Sequence, residues 1–289
     1  MINIAIHDTK AETKNPSLIK QVGFTLIELS IVLVIIGLIV GGVLVGQDLI
    51  KAAEIRATVG QYEKYNAAIN TFRTKYNGMP GDLVAASANA FAIGTASSTI
   101  GDGNSLIEST SGAALQVGEP TVFWQHLSNS NLVDGSYGAN LTTGGVVDGT
   151  SATSTYFPLA KLGRGNYWTV GAASGLNYYL LSAFAAVPAV GGDVNTDAAL
   201  TPIESYNIDS KVDDGMPNTG IVQARGDAIA DTTTALATLG TNAGQSSVAG
   251  TTTGDCLQGS ATATTTTNTY ARNTTVGNSP NCSLRMRFN

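Results

Sequence analysis

Histidine and cysteine are almost missing from this chain, with two of each in 289 residues. His7 and His126 stand far apart and belong to no cysteine–histidine set, so zinc chemistry has no visible ligands. A Gly-x-Ser-x-Gly turn is lacking, and Gly163-Arg164-Gly165 has neither the lysine nor the hydroxyl of a phosphate loop, so it reads as a turn. Charged residues make up only 12%, the net charge is −6, and no basic cluster interleaves with aromatics. The electrostatic footprint of a nucleic-acid binder is therefore absent. Aromatics are scarce at 7%, whereas 33 glycines and recurrent Ser/Thr tracts favour a loop-rich β structure over a helical bundle.

What the chain does have is one long apolar run. From Phe24 to Gly46 every residue except Glu28 is apolar, small or hydroxylic, and 23 residues are enough to cross a bilayer as a helix. A lone acid in such a helix costs about 2.5–3.5 kcal/mol on insertion scales, so it is retained where it meets a partner or an interface. An ordinary signal anchor would tolerate the acid as a blemish near its end. A cleavable secretory signal would instead have a shorter apolar core followed by a small-x-small cleavage site. Lys10, Lys14 and Lys20 all precede the run and hold that end on the cytoplasmic face, which places the bulk of the chain outside the cytoplasm.

Lys20-Gln-Val-Gly23 followed by Phe24-Thr-Leu-Ile-Glu28-Leu resembles the N-terminal signal of type IV pilins and type II secretion pseudopilins. The resemblance implies that a prepilin peptidase removes a leader, residues 1–23, by cutting between Gly23 and Phe24, and methylates the new amino terminus at Phe24. It implies that Glu28 meets the terminal amine of a neighbouring subunit during assembly, a pairing that removes two unmatched charges together. Loss of the leader, with its three lysines, Asp8 and Glu12, takes the net charge from −6 to −7. Four further phrases, Tyr76-Asn-Gly-Met-Pro-Gly-Asp82, Gly101-Asp-Gly-Asn104, Phe123-Trp-Gln-His-Leu127 and Asp209-Ser-Lys-Val-Asp-Asp-Gly215, are similar to a large-headed branch of prepilin-like proteins.

Beyond Gly46, residues 47–76 keep helical spacing. Ile55, Val59, Tyr62, Tyr65, Ile69, Phe72 and Tyr76 form one stripe and charged residues hold most other positions, as in an amphipathic helix lying on a globular head. Asn77-Gly78 and then Pro80 stop it, which gives a helix over 24–76 about 80 Å long at 1.5 Å per residue. Gly41, Gly42 and Gly46 stand where many relatives have a proline, so local unwinding rests on glycine. Residues 77–289 form the head. A short helix is expected over 119–133, with Phe123, Trp124 and Leu127 in the core and His126 capping or packing there. Strands are expected over 155–159, 167–170, 177–181 and 221–224, and an exposed loop region over 231–280. The expected fold class is α+β, a long N-terminal helix packed on a small antiparallel sheet.

Cys256 and Cys282 both lie in the part expected outside the cytoplasm, where a disulfide is permitted; two free thiols are the alternative. The bond would close a loop of about 27 residues, worth roughly 3–4 kcal/mol in the chain-entropy model, and pin the segment 284–288. Asp209, Asp213 and Asp214, with Asn207 and Gly215, set oxygen ligands of the kind calcium takes on a glycine turn, and Asp102-Gly103-Asn104 gives another such cluster. Neither has the full EF-hand pattern, and Asp-Gly reads first as turn chemistry. No cofactor is required; calcium is the optional one, at Asp209, Asp213 and Asp214.

The leading expectation is a structural subunit of a type IV pilus-like filament, either a pilin or a type II secretion pseudopilin. It would be held in the bacterial inner membrane by a single pass and then join a periplasmic or cell-surface filament. Its partners would be the prepilin peptidase, copies of itself and other pilin-like subunits. A minor tip subunit acting as an adhesin is the alternative, and Glu28 speaks for a body position instead. No enzymatic role and no nucleic-acid partner are expected. Replacing Gly23→Ala should block leader removal, seen as retention of the longer species by mass spectrometry; normal processing of that variant would sink the cleavage assignment.

Overall fold

The structure is a computed structural model, which describes residues 23–94, 101–108, 118–139, 153–173, 175–186, 195–197, 200–225, 256–258, 269–272, 280 and 282–288. The leader up to residue 22 and most of the expected loop region 231–280 lie outside them. The elements in order are helices α1 Leu26–Tyr76, α2 Ala85–Phe91, α3 Glu119–Asn129 and α4 Thr153–Tyr156, and strands β1 Asn166–Ala173, β2 Leu176–Ala186 and β3 Asn195–Asp197. Helix α5 Pro202–Val212 then precedes strands β4 Val222–Arg225, β5 Leu257–Gln258, β6 Thr269–Tyr270 and β7 Ser283–Phe288. The chain divides into two compact units, one ending at Leu49 and the other spanning Ile50–Asn289.

In the first unit, α1 is a bare apolar rod. Leu26, Ile27, Leu33, Val34, Leu38, Val45 and Leu49 are all exposed, and the apolar stretch has the length and composition to cross a membrane.

The second unit owes its core to the amphipathic part of the same helix. Ile55, Thr58, Tyr62, Tyr65, Ala68, Ile69, Phe72 and Tyr76 are buried along one face, matching the expected stripe except that Val59 is half-buried and Thr58 and Ala68 take core positions. The Thr58 hydroxyl is satisfied within the helix by donating to the Glu54 carbonyl at 2.8 Å. The helix stops at Asn77, in the left-handed region with φ 51°, and the Asn77 N–H donates to the Arg73 carbonyl at 2.9 Å.

Against this face stands an antiparallel sheet in the order β1-β2-β7-β4, with β3 added on β2. Trp168, Val170, Tyr179, Leu181, Val222, Ala224, Leu284, Met286 and Phe288 alternate along the four main strands and join the helix residues in one core. Tyr179 is its hub: its ring lies 5.8 Å from Tyr62, 5.9 Å from Trp168 and 4.4 Å from Phe288. The Tyr65 ring adds edge contacts at 4.9 Å to Trp124 and 5.8 Å to Trp168. Such pairs contribute about 0.5–1.5 kcal/mol each beyond their buried area. One polar side chain also ties the helix to the sheet side: the Gln61 carbonyl accepts from Lys161 N–H at 2.7 Å and from the Trp168 indole at 3.2 Å.

The α+β arrangement is the expected one, with differences in detail. The run 155–159 is not a strand; Thr153–Tyr156 forms a helical turn, and only Leu159 makes a bridge, to Tyr167. The most central added strand, β7, alternates Leu284, Met286 and Phe288 inward with Arg285 and Arg287 between them. Helix α5 starts on a capping box in which Thr201 accepts from Glu204 N–H and the Glu204 carboxylate accepts from Thr201 N–H, with Pro202 in its first turn.

Two substitutions probe this core by denaturant unfolding. Phe72→Ala should cost about 3–5 kcal/mol. Tyr179→Phe should leave stability unchanged or raise it by about 1 kcal/mol, because the buried Tyr179 hydroxyl has no hydrogen-bond partner among the described residues.

Candidate functional site

The processing segment lies at the start of α1. Gly23 and Phe24 precede the helix and are exposed. Thr25 is the N-cap residue: its hydroxyl accepts from Glu28 N–H at 3.4 Å, while the Glu28 carboxylate accepts from Thr25 N–H at 2.7 Å and from the Thr25 hydroxyl at 2.8 Å. This is a reciprocal capping box, which satisfies two of the helix's orphan amides and sets a negative charge on its positive end. Glu28 therefore has a local role in addition to the assembly role expected of it. The Thr-x-x-Glu spacing ahead of an apolar run was the signal for it.

The second expected site forms at the end of α5. One ligand oxygen from each of Asp209, Asp213 and Asp214 lies within 4.8 Å of the others. Each carboxylate already serves the backbone or a hydroxyl. Asp209, fully buried, accepts from Gly215 N–H at 3.2 Å and from the Tyr270 hydroxyl at 2.7 Å. Asp213 accepts from Ile221 N–H and Val222 N–H, which ties the end of α5 to the start of β4. Asp214 accepts from Met216 N–H at 2.8 Å and the Thr219 hydroxyl at 2.7 Å. Burial pushes the Asp209 carboxyl up to about 6, against the pull of its Tyr270 hydrogen bond. The set thus does the turn chemistry expected of Asp-Gly and also converges as an oxygen site would.

Cys256 and Cys282 form the disulfide, with Cα atoms 5.1 Å apart. Cys256 leads into the β5–β6 hairpin, and its carbonyl accepts from Ala271 N–H at 3.0 Å. Cys282 leads into β7 and bridges Leu200 just before α5. The Tyr270 hydroxyl reaches Asp209, and the Arg272 guanidinium lies 3.8 Å over the Tyr206 ring. The bond therefore joins the hairpin, the sheet and the acidic end of α5 in one construction.

A third polar construction brings Asp102, from one of the two oxygen-ligand clusters read from the sequence, together with Asp82 and Glu119, one ligand oxygen of each lying within 4.8 Å of the others. The turn after α1 approaches α3 so closely that a side chain at Gly81, where φ is 92°, would meet the Glu119 carbonyl at 2.8 Å. Gly81 N–H donates to His126 Nδ1 at 3.0 Å, and the buried His126 ring stacks on Phe72 at 5.9 Å, so this histidine packs as expected. Burial pushes its pKa down to about 4, which keeps it neutral. The next residue, Asp82, is buried and accepts from Gly103 N–H at 2.7 Å and Ser105 N–H at 2.6 Å. Glu119, at the start of α3, accepts from Glu108 N–H at 2.6 Å. Asn177 of β2 completes the hold on this loop by accepting from Ile107 N–H at 2.9 Å and donating to the Ser105 carbonyl at 2.8 Å. The phrases around Asp82 and Gly101-Asp102-Gly103-Asn104 were visible separately in the sequence; their pairing across about 20 residues was not.

Residues 20–44 match the prokaryotic N-terminal methylation motif. The chain thus carries the mark of proteins that are processed and methylated at the amino terminus and anchored by an apolar helix. Within that class the match supports the type IV pilin and pseudopilin family, and the motif implies processing by a prepilin peptidase and assembly with pilin-like subunits. No curated protein and no solved structure matches the chain.

Replacing both Cys256→Ser and Cys282→Ser should lower head stability by roughly 2–4 kcal/mol in denaturant unfolding. An unaltered midpoint would show that the hairpin is held without the bond.

Proposed function

We propose that the chain is a structural subunit of a type IV pilus-like filament, as a pilin or a type II secretion pseudopilin. The observation that carries this reading is the methylation motif at residues 20–44, continuous with an apolar helix whose large side chains up to Leu49 are exposed among the described residues. A rod of that kind needs lipid or the rods of its neighbours to bury it. In this reading the precursor waits in the inner membrane as a single pass, with its head outside the cytoplasm. Cleavage after Gly23 and methylation of Phe24 create the amine that Glu28 of an adjacent subunit meets in the filament, in the periplasm or at the cell surface.

The role is structural, not enzymatic. Calcium is an optional ligand at Asp209, Asp213 and Asp214, where it would add a cation to carboxylates that already fasten α5 to β4.

Glu28→Ala tests the assembly contact. Leader removal should proceed normally while sheared filament yield falls at least tenfold; wild-type yields would overturn the contact. For calcium, the wild-type melting temperature should rise by at least about 2–4 °C with calcium over chelator, and Asp213→Asn should abolish the rise. An equal rise in the variant would move the ion elsewhere.

A further inference from the structure

We propose that the flank of α1 running past the end of the sheet is a binding groove for an extended, acidic peptide segment of a partner protein. Asparagine side chains hold the segment along its backbone, and Arg73 and Arg287 hold its carboxylates. The groove belongs to the second unit alone and works in the head whatever the stem does.

Two hollows meet at Asn70. One, of about 480 Å³, lies between Arg73, Thr74 and Asn77 at the end of α1 and the segments that carry Met79 and Ser105. The other, of about 230 Å³, lies between Tyr62 and Asn66 of α1 and the residues Ile221, Arg287 and Phe288. Asn70, Arg73, Thr74 and Asn77 are exposed, so the groove opens to solvent. From residue 62 to residue 78 it follows the helix for about 24 Å, which accommodates about seven residues of extended chain at ~3.3 Å each.

The polar groups along the groove suit a peptide backbone. Asn66, Asn70 and Thr74 stand four residues apart on one ridge of the helix, a step of about 6 Å. That is close to the roughly 6.6 Å between alternate residues of an extended strand. The carboxamides of Asn70 and Asn77 make no hydrogen bond among the described residues, and each offers donors and an acceptor, the two functions a peptide unit pairs with. The Thr74 hydroxyl donates to the Asn70 carbonyl at 2.9 Å and keeps its acceptor lone pairs for a ligand N–H.

The charge of the groove points to carboxylates. Among the described residues no acid lines either hollow, and the ion pairs are Lys64–Asp134 and Arg164–Glu204, which leaves Arg73 and Arg287 without a carboxylate. Asp213 comes up to the wall at Ile221, but its carboxylate accepts from Ile221 N–H and Val222 N–H. Burial raises the pKa of the Tyr62 hydroxyl, with Asp213 adding to the rise and Arg287 opposing it, so the Arg287 charge acts within the groove. In a chain of net charge −6, two unpaired guanidinium groups beside three asparagines reverse the local sign. Each guanidinium presents a fork of donors that matches the two oxygens of a carboxylate.

The test uses the mature full-length chain in neutral detergent micelles. Two end-blocked peptide probes of about eight residues, one alternating Glu and Ser and one alternating Lys and Ser, each carry a neutral fluorophore. Fluorescence anisotropy at low salt should show the Glu probe binding at least about tenfold more tightly than the Lys probe, with the difference shrinking as salt rises. Arg73→Glu and Arg287→Glu should each weaken the Glu probe at least about fivefold at an unchanged melting temperature. Asn70→Leu removes a carboxamide and no charge, and should weaken it at least about threefold; an unchanged affinity overturns the backbone grip. Lys75→Glu makes the same charge change as Arg73→Glu, about 200° further round the helix, and should leave the affinity within about twofold. Equal binding of the two probes by the wild type, or an equal loss in Lys75→Glu, overturns the groove. Binding of oligogalacturonate through Arg73 in place of the Glu probe overturns the peptide assignment in favour of an acidic saccharide.

Discussion

The head is organised by the need to bury one side of the amphipathic part of α1. A helix that long cannot cover its own apolar stripe, and Ile55 to Tyr76 present a row of aromatic and branched side chains whose exposure to water would cost about 1.5–3 kcal/mol each. The sheet answers with Trp168, Tyr179, Leu284, Met286 and Phe288, and α3 adds Phe123, Trp124 and Leu127. Tyr179 sits where these contributions meet. The contacts are ring edges against ring faces, so the core is held by shape as much as by area.

Around that core, the polar interior is built from backbone amides captured by side-chain oxygens. Glu119, Asn177, Asp209 and Asp213 each fasten a segment without regular structure to a helix or strand, and Asp82 ties the loop 101–108 to the turn after α1. This is what a glycine-rich, loop-rich head requires, since every buried amide outside a ladder needs an acceptor. It also explains why acids can serve as structural residues in an acidic protein with few cations. The disulfide adds a covalent tie where the capture is densest, between the hairpin, β7 and the end of α5.

Function separates cleanly from this architecture. The motif and the apolar rod lie in one unit, the disulfide and the buried acidic groups in the other. The proposed filament role rests on the first of these units.

Local and periodic information was enough for several elements. The apolar run, the Gly23-Phe24-Thr25-x-x-Glu28 signal, the stripe of α1, its stop at Asn77, α3 and strands β1, β2 and β4 could all be read along the chain, because each depends on neighbours within a few residues. The capping boxes at Thr25 and Thr201 and the alternation of β7 were also present there, although the glycine- and threonine-rich context drew attention to loops. Tertiary structure alone decided that β7 joins β2 to β4, that Asp82, Asp102 and Glu119 converge, and that Tyr270 closes on Asp209. Those pairings bring together groups tens of residues apart, and it is the shared burial against α1, not any local preference, that selects them.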